Sequence, residues 1–423
     1  MKYCHQSLSC ILLTGAMFLL MVRAEAQQKE KYTVAIFLYN GVELLDFAGP
    51  GEVFSASGFR VYTVSVDGNE ILSQGFVTVK PQHSVANAPK PDIVVFPGGG
   101  ADAPSKDARV IEWLKSNVAT GTMAMSVCTG AAILARAGML EGYNVTTFHN
   151  YIDGLQAILP NSRVLRDTRF VDNGGVITTA GVSAGIDGAL HLVARIKGIE
   201  AAKETARYME YDKWKPNEGR VDYKNKTLEK LKTGATLDKE NTTPKGTIGA
   251  SSVPFEGELI NLASDMINNG QYGQAQKVLE TAINWYPNSA ACYRELSRVY
   301  VKLGKDAPPE GENFVKLVGD GKVDEALALY DKTQKAFPGW ILFDENDMNM
   351  IGYHIMARGD YEYAIKVFQL NAKAFPKSAN ALDSLAEGYM KGGHKKEAIA
   401  NYQKSLEMDP SNRNAKDMLA KLQ

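Results

Sequence analysis

Between about residues 31 and 212 the chain alternates short apolar runs with stretches of helical pattern. Apolar runs of about four to eight residues are typical of strands buried on both faces of a sheet. The predicted strands are Tyr32–Tyr39, Arg60–Val66, Asp92–Phe96, Thr122–Val127 and Val176–Thr179, and the predicted helices are Ala108–Val118, Thr129–Ala137 and Ile186–Lys197. This alternation predicts an α/β doubly wound domain with its site at the carboxyl ends of the strands.

The pattern changes after Asp212. From Lys213 to about Pro254 polar residues, glycine and proline dominate, and the apolar periodicity fades. Such composition is typical of loops, so we predict a linker over residues 213–254 with a short helix at Lys226–Lys232. We expect the early part of this linker to pack on the first domain.

A repeat begins after Phe255. Alanine is followed twelve residues later by proline at four places, with glycine five residues before each alanine and a large apolar residue four after it. The pairs are Ala275/Pro287, Ala326/Pro338, Ala364/Pro376 and Ala398/Pro410, the glycines are Gly270, Gly321, Gly359 and Gly393, and the large residues are Leu279, Tyr330, Phe368 and Tyr402. This spacing resembles the tetratricopeptide repeat, a helix–turn–helix unit of about 34 residues. We predict an all-α tetratricopeptide-repeat solenoid over residues 255–423, interrupted at Lys305–Asn313.

A solenoid of stacked repeats presents a concave face. Such a face either binds a protein partner, which the sequence leaves unknown, or serves self-association. The chain has 47 basic and 48 acidic residues and a net charge of −1, so its charge does not favour binding to nucleic acid.

The first 26 residues have the pattern of an export signal. Lys2 precedes the uncharged run Ile11–Val22, and Ala24-Glu25-Ala26 provides the small residues that signal peptidase requires. The alternative is a membrane anchor or a buried N-terminal helix. We expect a periplasmic or secreted protein; cleavage after Ala26 would leave two cysteines, Cys128 and Cys292.

The most informative cysteine is Cys128, which lies between a predicted strand and the helix behind it. A residue at such a junction is held at the top of the sheet, as the serine of hydrolases is, and a helix N-terminus favours a thiolate. We therefore predict that Cys128 is a nucleophile with a lowered pKa. The alternative is a small buried core residue.

Two further segments follow predicted strands. The backbone N–H groups of Gly98, Gly99 and Gly100, with that of Thr129, are candidates for an oxyanion site, and the alternative is a tight turn without a ligand. Asp46 lies just past the first strand, where a carboxylate can move the proton of a thiol. Its alternative role is that of a helix N-cap.

These segments resemble the ThiJ/PfpI superfamily, which is class I glutamine amidotransferase-like and has a flavodoxin-like fold. The resemblance covers about residues 32–212 and is carried by Asp46–Pro50, the glycine loop, Val127–Gly130 and Thr179–Asp187. Within the superfamily the chain most resembles isonitrile hydratases and the sensor domains of AraC-type regulators. Those regulators end in a helix-turn-helix, in whose place this chain has the repeats. The resemblance also favours a homodimer.

The resemblance to isonitrile hydratases implies a reaction. Cys128 would attack the terminal carbon of an isonitrile, Asp46 would relay the proton, and water would release an N-substituted formamide. Thr129 matches the threonine that positions the nucleophile, and no metal or organic cofactor is implied. The histidine after Thr146-Thr147 falls one place later than in relatives, so His149 is expected either to line the pocket or to lie on the surface.

Three other residues are assigned structural roles. We expect His191 and Cys292 to be core residues and Asp187 to cap the helix that follows Val176–Thr179. The leading function is therefore an exported thiol hydratase or hydrolase that acts on a small molecule. The alternatives are a ligand-binding or redox-sensing module, and a protease or carbonyl-repair enzyme.

Overall fold

The computed structural model describes residues 32–216, 218–234 and 253–422. The chain divides into two compact units between Leu262 and Ala263. The predicted signal peptide at 1–26 lies outside the described residues, as do residues 235–252 of the predicted linker.

The first unit is built on one mixed, mostly parallel sheet. Its strand order is β12-β10-β11-β7-β6-β1-β2-β5, with β10 antiparallel to β11. Two small pairs, β3–β4 and β8–β9, lie outside it. The strands are β1 Thr33–Phe37, β2 Arg60–Ser65, β3 Ile71–Ser73, β4 Val77–Val79, β5 His83–Ser84, β6 Ile93–Phe96, β7 Met123–Val127, β8 Asn144–Val145, β9 Arg163–Val164, β10 Phe170–Asp172, β11 Val176–Thr179 and β12 Arg220–Val221.

Helices cover both faces of this sheet, which confirms the predicted doubly wound α/β class. On one face Pro50 of α1 and Gly185 of α6 pack beside Val127 of β7. On the other, Trp113 of α3 packs against Phe37 and Phe96. The helices of this unit are α1 Leu44–Ala56, α2 Asp102–Lys106, α3 Ala108–Ala119, α4 Ala131–Arg136, α5 Ile152–Ile158, α6 Ala184–Lys197, α7 Ile199–Tyr208 and α8 Lys226–Lys232.

All five predicted strands are present, with ends within three residues of those expected. The strands that the sequence analysis missed have two or three residues each, too short to carry a period-two pattern. The helix α1 was also missed, since Gly49, Pro50 and Gly51 interrupt it. Pro50 has no N–H to donate within this helix, so the helix depends on the burial of residues such as Val53 and Phe54.

The early part of the predicted linker packs on the first domain and its short helix is present, both as expected, while its far end needs a correction. Residues Arg220 and Val221 form β12, which pairs with β10 and so extends the sheet. After residue 253 the first turn of the next helix also belongs to the α/β unit, because Glu258 accepts a hydrogen bond of 3.0 Å from Nε of Arg195. The boundaries at residues 212 and 255 were predicted from the loss of apolar periodicity. Neither the segment around Arg220 nor the one before Glu258 has a long apolar run that would assign it to the first domain.

The second unit is all helical, as predicted. The helices from residue 256 on are α9 Glu256–Asn268, α10 Tyr272–Trp285, α11 Ala290–Lys302, α12 Gly311–Gly319, α13 Val323–Ala336, α14 Glu345–Ala357, α15 Tyr361–Ala374, α16 Ala379–Lys391, α17 Lys395–Met408 and α18 Arg413–Leu422. Among the helices of the described ranges, none combines the length and the apolar character needed to cross a bilayer.

The repeat spacing is confirmed in atomic terms. The four repeat glycines lie in the turns between paired helices with φ between +73° and +86°, a conformation that glycine adopts without strain. The four repeat alanines are fully buried, where only a small side chain lets neighbouring helices approach. The interruption falls between α11 and α13, where α12 has nine residues.

Candidate functional site

Four neighbouring parallel strands end at the candidate site. In the order β11, β7, β6, β1 their carboxyl ends lead into the segment at Val182, into Cys128, into the glycine loop at Gly98 and into the first turn of α1. Parallel strands end at the same edge of a sheet, so residues from four distant parts of the chain come together there.

The first turn of α1 carries Asp46, which is fully buried. The helix is capped by Glu43, whose carboxylate accepts a 2.7 Å hydrogen bond from the Asp46 N–H, so the alternative that Asp46 is the N-cap is wrong. The two oxygens of Asp46 accept backbone hydrogen bonds from Gly98 at 2.8 Å and from Val182 at 3.0 Å. Each oxygen keeps a second lone pair for a further donor.

Burial raises the pKa of Asp46 to about 7, and the charge of Glu43 adds to this effect. The hydrogen bonds from Gly98 and Val182 oppose it, because they favour the ionised form. In the described part of the chain no arginine, lysine or histidine forms an ion pair or hydrogen bond with Asp46. Its carboxyl group can therefore gain and lose a proton near neutral pH.

Cys128 follows β7 directly and is 5% exposed. Its φ of +58° lies in the left-handed region, which is uncommon for a residue with a side chain. Two hydrogen bonds hold its backbone in this conformation: its N–H donates to Ala180 O at 3.0 Å, and Thr147 Oγ1 donates to its carbonyl at 2.7 Å. The predicted elbow is thus present, with strain that its neighbours maintain.

The predicted pKa of this thiol is wrong in direction. Burial raises the pKa of Cys128 to about 12, and the negative charge of Asp46 contributes to the rise. Hydrogen bonds from the N–H and hydroxyl of Thr129 lower it, but by less. The favourable helix terminus that the sequence indicated is outweighed, because desolvation and a neighbouring carboxylate both favour the neutral thiol.

The glycine loop shapes the site but does not offer the free donors that were expected. The N–H of Gly98 donates to Asp46, that of Gly99 to Thr129 Oγ1 at 3.0 Å, and that of Gly100 to Gly41 O at 2.9 Å. The expected oxyanion role is corrected accordingly. A side chain at Gly98 would lie 2.7 Å from Cβ of Cys128 and from two atoms of Thr129, so glycine is required for the close approach.

Two other side chains support this loop. Thr129 Oγ1 also donates to Gly99 O at 3.1 Å, which agrees with the positioning role expected of this threonine. The hydroxyl of Tyr39 donates to Pro97 O at 2.6 Å and to Gly98 O at 2.8 Å. Burial and then the charges of Asp46 and Cys128 raise the pKa of Tyr39, so its hydroxyl remains a donor.

The surroundings of the remaining predicted residues differ from those of this pair. His149 is exposed, and its ring packs against Phe148. His191 stacks on Phe170 and bonds Asp172, and Cys292 is fully buried in α11, as expected of core residues.

Asp187 does not cap α6 as expected. Its carboxylate instead accepts hydrogen bonds from Arg169 at 2.6 Å and from Tyr211 at 3.1 Å.

Sequence reasoning missed Glu43, Tyr39, Thr147 and Val182. Val182 has a φ of +53°, which could not be predicted because β-branched residues rarely adopt a positive φ. Glu43 was missed because glutamate is not among the residues preferred at a helix N-cap. Across the described ranges no group of three or more His, Cys, Asp or Glu side chains could hold a metal ion.

The sequence of the chain matches two known families. Residues 32–195 match the DJ-1/PfpI family, and residues 379–412 match the tetratricopeptide repeat. An isonitrile hydratase of Pseudomonas putida is 31% identical over 183 residues, which are 42% of this chain and 78% of that protein. The chain belongs to the DJ-1/PfpI family.

Two further proteins have sequences similar to part of this chain. The HTH-type transcriptional regulator GbdR of Pseudomonas aeruginosa is 26% identical over 195 residues, and the chain spans about half of it, 53%. The crystal structure of a family protein from Pseudomonas syringae is 26% identical, with a TM-score of 0.41 over 47% of this chain and 80% of that one. The family domain and the repeats are thus the two recognisable parts of the protein.

Proposed function

We propose that the DJ-1/PfpI domain is a cysteine-dependent hydratase that converts a small isonitrile to an N-substituted formamide. The observation that carries this proposal is the pairing of Cys128 with Asp46, a buried acid whose pKa is raised to about 7. A general acid–base group is most effective when its pKa lies near the working pH. The identity of 31% to an isonitrile hydratase supports the choice of substrate.

The resting state of the pair decides how the reaction begins. With its pKa raised to about 12, Cys128 is a neutral thiol at physiological pH. Attack therefore needs a base beside the sulfur, and Asp46 is the group available. The thiol therefore becomes a nucleophile only as Asp46 takes its proton.

The steps balance with water as the co-reactant. The carboxylate of Asp46 takes the thiol proton while Sγ of Cys128 bonds to the terminal carbon of R–NC. Asp46 then delivers that proton to the same carbon, which gives the thioimidate R–N=CH–S–Cys. Water adds across the C=N bond, and the C–S bond breaks as the sulfur regains a proton. The products are R–NH–CHO and the free thiol.

The test is formamide production from a panel of alkyl and aryl isonitriles. We expect turnover by the wild-type protein and none by Cys128→Ala or Asp46→Asn. The matched control is Cys292→Ala, which removes the other buried cysteine of the described residues and should leave turnover unchanged. Formation of formamide by Cys128→Ala would contradict the assignment of the nucleophile.

A ligand-binding or redox-sensing module is the second candidate. It is favoured by similarity to transcriptional regulators, whereas the low exposure and raised pKa of Cys128 favour ligand binding over oxidation of the thiol. A sensor would accumulate a stable adduct on Cys128 with no product. Intact-mass measurement after incubation with each isonitrile separates the two functions, because an enzyme returns to its unmodified mass.

The remaining parts of the proposal concern location and partners. We expect the protein to act after export, as a homodimer, with the repeats bound to another protein. The pattern of residues 1–26 supports export, and the match at residues 379–412 supports a binding role for the repeats. Cell fractionation and N-terminal sequencing test the first expectation, and light scattering tests the second.

A further inference from the structure

One of the two donors to Asp46 is held in an unfavourable conformation. Val182 donates its N–H to Oδ1 of Asp46 at 3.0 Å, and its φ is +53°. A β-branched residue in this region is a steric outlier, so it persists only where the surrounding contacts enforce it. The contacts that enforce it therefore act on Asp46 as well.

Arg169 holds both ends of the segment that contains Val182. Its carbonyl accepts a 2.9 Å hydrogen bond from the N–H of Ala180. Its Nη2 donates to Ser183 Oγ at 3.2 Å. Ala180 is thus held by the backbone of Arg169 and Ser183 by its side chain, and Val182 lies between these two residues.

The guanidinium group is itself fixed by Asp187 of α6. Nε of Arg169 donates to Asp187 Oδ2 at 2.6 Å, and Tyr211 donates to Oδ1 of the same carboxylate at 3.1 Å. The Asp187 side chain is 5% exposed, whereas that of Arg169 is 33% exposed. Loss of Arg169 from this carboxylate would leave the buried charge of Asp187 without a cation, which is costly. The position of the guanidinium group is therefore well defined.

We propose that Arg169 is a positioning residue that keeps the Val182 amide on Asp46 and thereby sets the pH at which the Asp46–Cys128 pair loses its proton. The proposal rests on the proposed function only in that it concerns the same pair. A hydrogen bond to a carboxylate favours its ionised form, so loss of the Val182 donor raises the pKa of Asp46. One hydrogen bond to a charged group corresponds to about one pKa unit or more.

The other charged groups around the pair remain in place in an Arg169 variant. Glu43 acts on Asp46 from the cap of α1, while Tyr39 and Cys128 lie beside it at the ends of β1 and β7. Glu218 acts on Asp187 together with Arg169 and Tyr211. A change in the proton affinity of Asp46 that depends on Arg169 can therefore be assigned to the Val182 segment, provided that long-range charge is controlled.

The measurement is the rate of iodoacetamide modification of Cys128 from about pH 5 to 9, the range in which ionised Asp46 becomes available to take the proton of the neutral thiol. Mass spectrometry of the peptide that contains Cys128 follows the modification. We expect Arg169→Gln to move the midpoint of the profile up by about one pH unit. The matched control is Arg166→Gln, which removes a positive charge from the same loop. Arg166 pairs with Asp153 at the surface and should leave the midpoint in place.

A second variant separates positioning from general damage. Glycine at position 182 keeps the amide donor and adopts a positive φ without support from Arg169. The double variant Arg169→Gln/Val182→Gly should therefore regain the wild-type midpoint. If Arg169→Gln does not fold, Ser183→Ala removes only the hydroxyl that Arg169 holds and should give a smaller shift in the same direction.

An unchanged midpoint in Arg169→Gln, or in Ser183→Ala where Arg169→Gln does not fold, would overturn the proposal. Equal shifts in Arg169→Gln and Arg166→Gln would also overturn it, as would a double variant that keeps the shifted midpoint. The readout is modification of the thiol and not turnover. Failure of isonitrile hydration would therefore leave this test intact, and failure here would leave the hydratase proposal standing.

Discussion

Two aspartates of the α/β unit are fully buried and have opposite surroundings. Asp172 of β10 accepts hydrogen bonds from Arg195 at 3.2 Å and from His191 at 2.8 Å. Asp46 accepts hydrogen bonds from the backbone N–H groups of Gly98 and Val182, and its charged neighbour is Glu43. Burial alone would raise the pKa of both, yet Arg195 and His191 lower that of Asp172, while that of Asp46 rises to about 7.

The difference separates a structural acid from a chemical one. Asp172 keeps its charge because a cation compensates it, and Arg195 also bonds Glu258 and lies 4.0 Å from the centre of the Tyr223 ring. This cluster connects four segments: Asp172 lies in β10, Arg195 in α6, Tyr223 just after β12 and Glu258 in the first turn of α9. Asp46 has no such compensation, so its proton can move. Of these two buried carboxylates, the one without a compensating cation is therefore the one suited to proton transfer near neutral pH.

The largest effect should come from removal of the compensating cation. Arg195→Met leaves Asp172 and Glu258 buried without it, and we expect a loss of about 3–5 kcal/mol in the free energy of unfolding. Urea denaturation at neutral pH measures this loss. Arg207→Met, at an exposed position of α7, should change stability by no more than about 0.5 kcal/mol.

A double variant identifies the cause of that loss. Arg195→Met/Asp172→Asn should recover part of the stability, because the uncompensated charge is then removed as well. A double variant that is less stable than Arg195→Met would show that the cation acts by packing on Tyr223 and not by charge.

The second effect is a difference in pH dependence. Asp46 has a pKa raised from 3.8 to about 7, so its contribution to stability is complete below pH 3.8 and is lost as the pH rises to about 7. The size of this loss is about 4 kcal/mol, at about 1.4 kcal/mol per pKa unit. Asp46→Asn should abolish the loss, which unfolding measured from pH 4 to 8 will show.

The quantity to compare is the slope of the free energy of unfolding against pH. The NH₂ group of asparagine would face one of the backbone N–H donors and lower stability, but by an amount that does not depend on pH. Asp172→Asn is the opposite control. The lowered pKa of Asp172 gives stability that is present above its unfolded pKa and lost as the pH falls through the folded value. The comparison would be contradicted if both substitutions changed the slope of the wild-type curve in the same direction, with Asp172→Asn measured down to about pH 2.

The sequence could predict the chemical site better than the structural cluster. Asp46, Gly98 and Cys128 each follow a strand with a clear apolar run, and the order of such strands brings their ends together. The structural cluster has no local signal, because Arg195 and Glu258 are 63 positions apart and Glu258 follows the predicted linker. The pKa of Cys128 was predicted with the wrong sign because desolvation depends on packing that no motif encodes.

A smaller effect should come from the left-handed backbone at Cys128. Its φ of +58° is unfavourable for any residue with a Cβ, so Cys128→Gly should be more stable than Cys128→Ala by about 1 kcal/mol. The other buried cysteine gives the control, because Cys292 lies within the helix α11. There the glycine variant should be the less stable one by about 1 kcal/mol. The same order at both positions would argue against strain at Cys128.

The smallest expected effect tests whether Thr147 supports the site or only the fold. Thr147 Oγ1 donates a 2.7 Å hydrogen bond to the carbonyl of Cys128, and Thr122 Oγ1 makes an equal bond of 2.7 Å to Pro91 O at the opposite end of β7. Both threonines are buried, so replacement of either by valine should cost about 1 kcal/mol in the free energy of unfolding. Only Thr147→Val should also change the rate at which iodoacetamide modifies Cys128, because only this bond fixes the left-handed residue that carries the thiol. Equal modification rates in the two variants would mean that the elbow is held by the sheet alone.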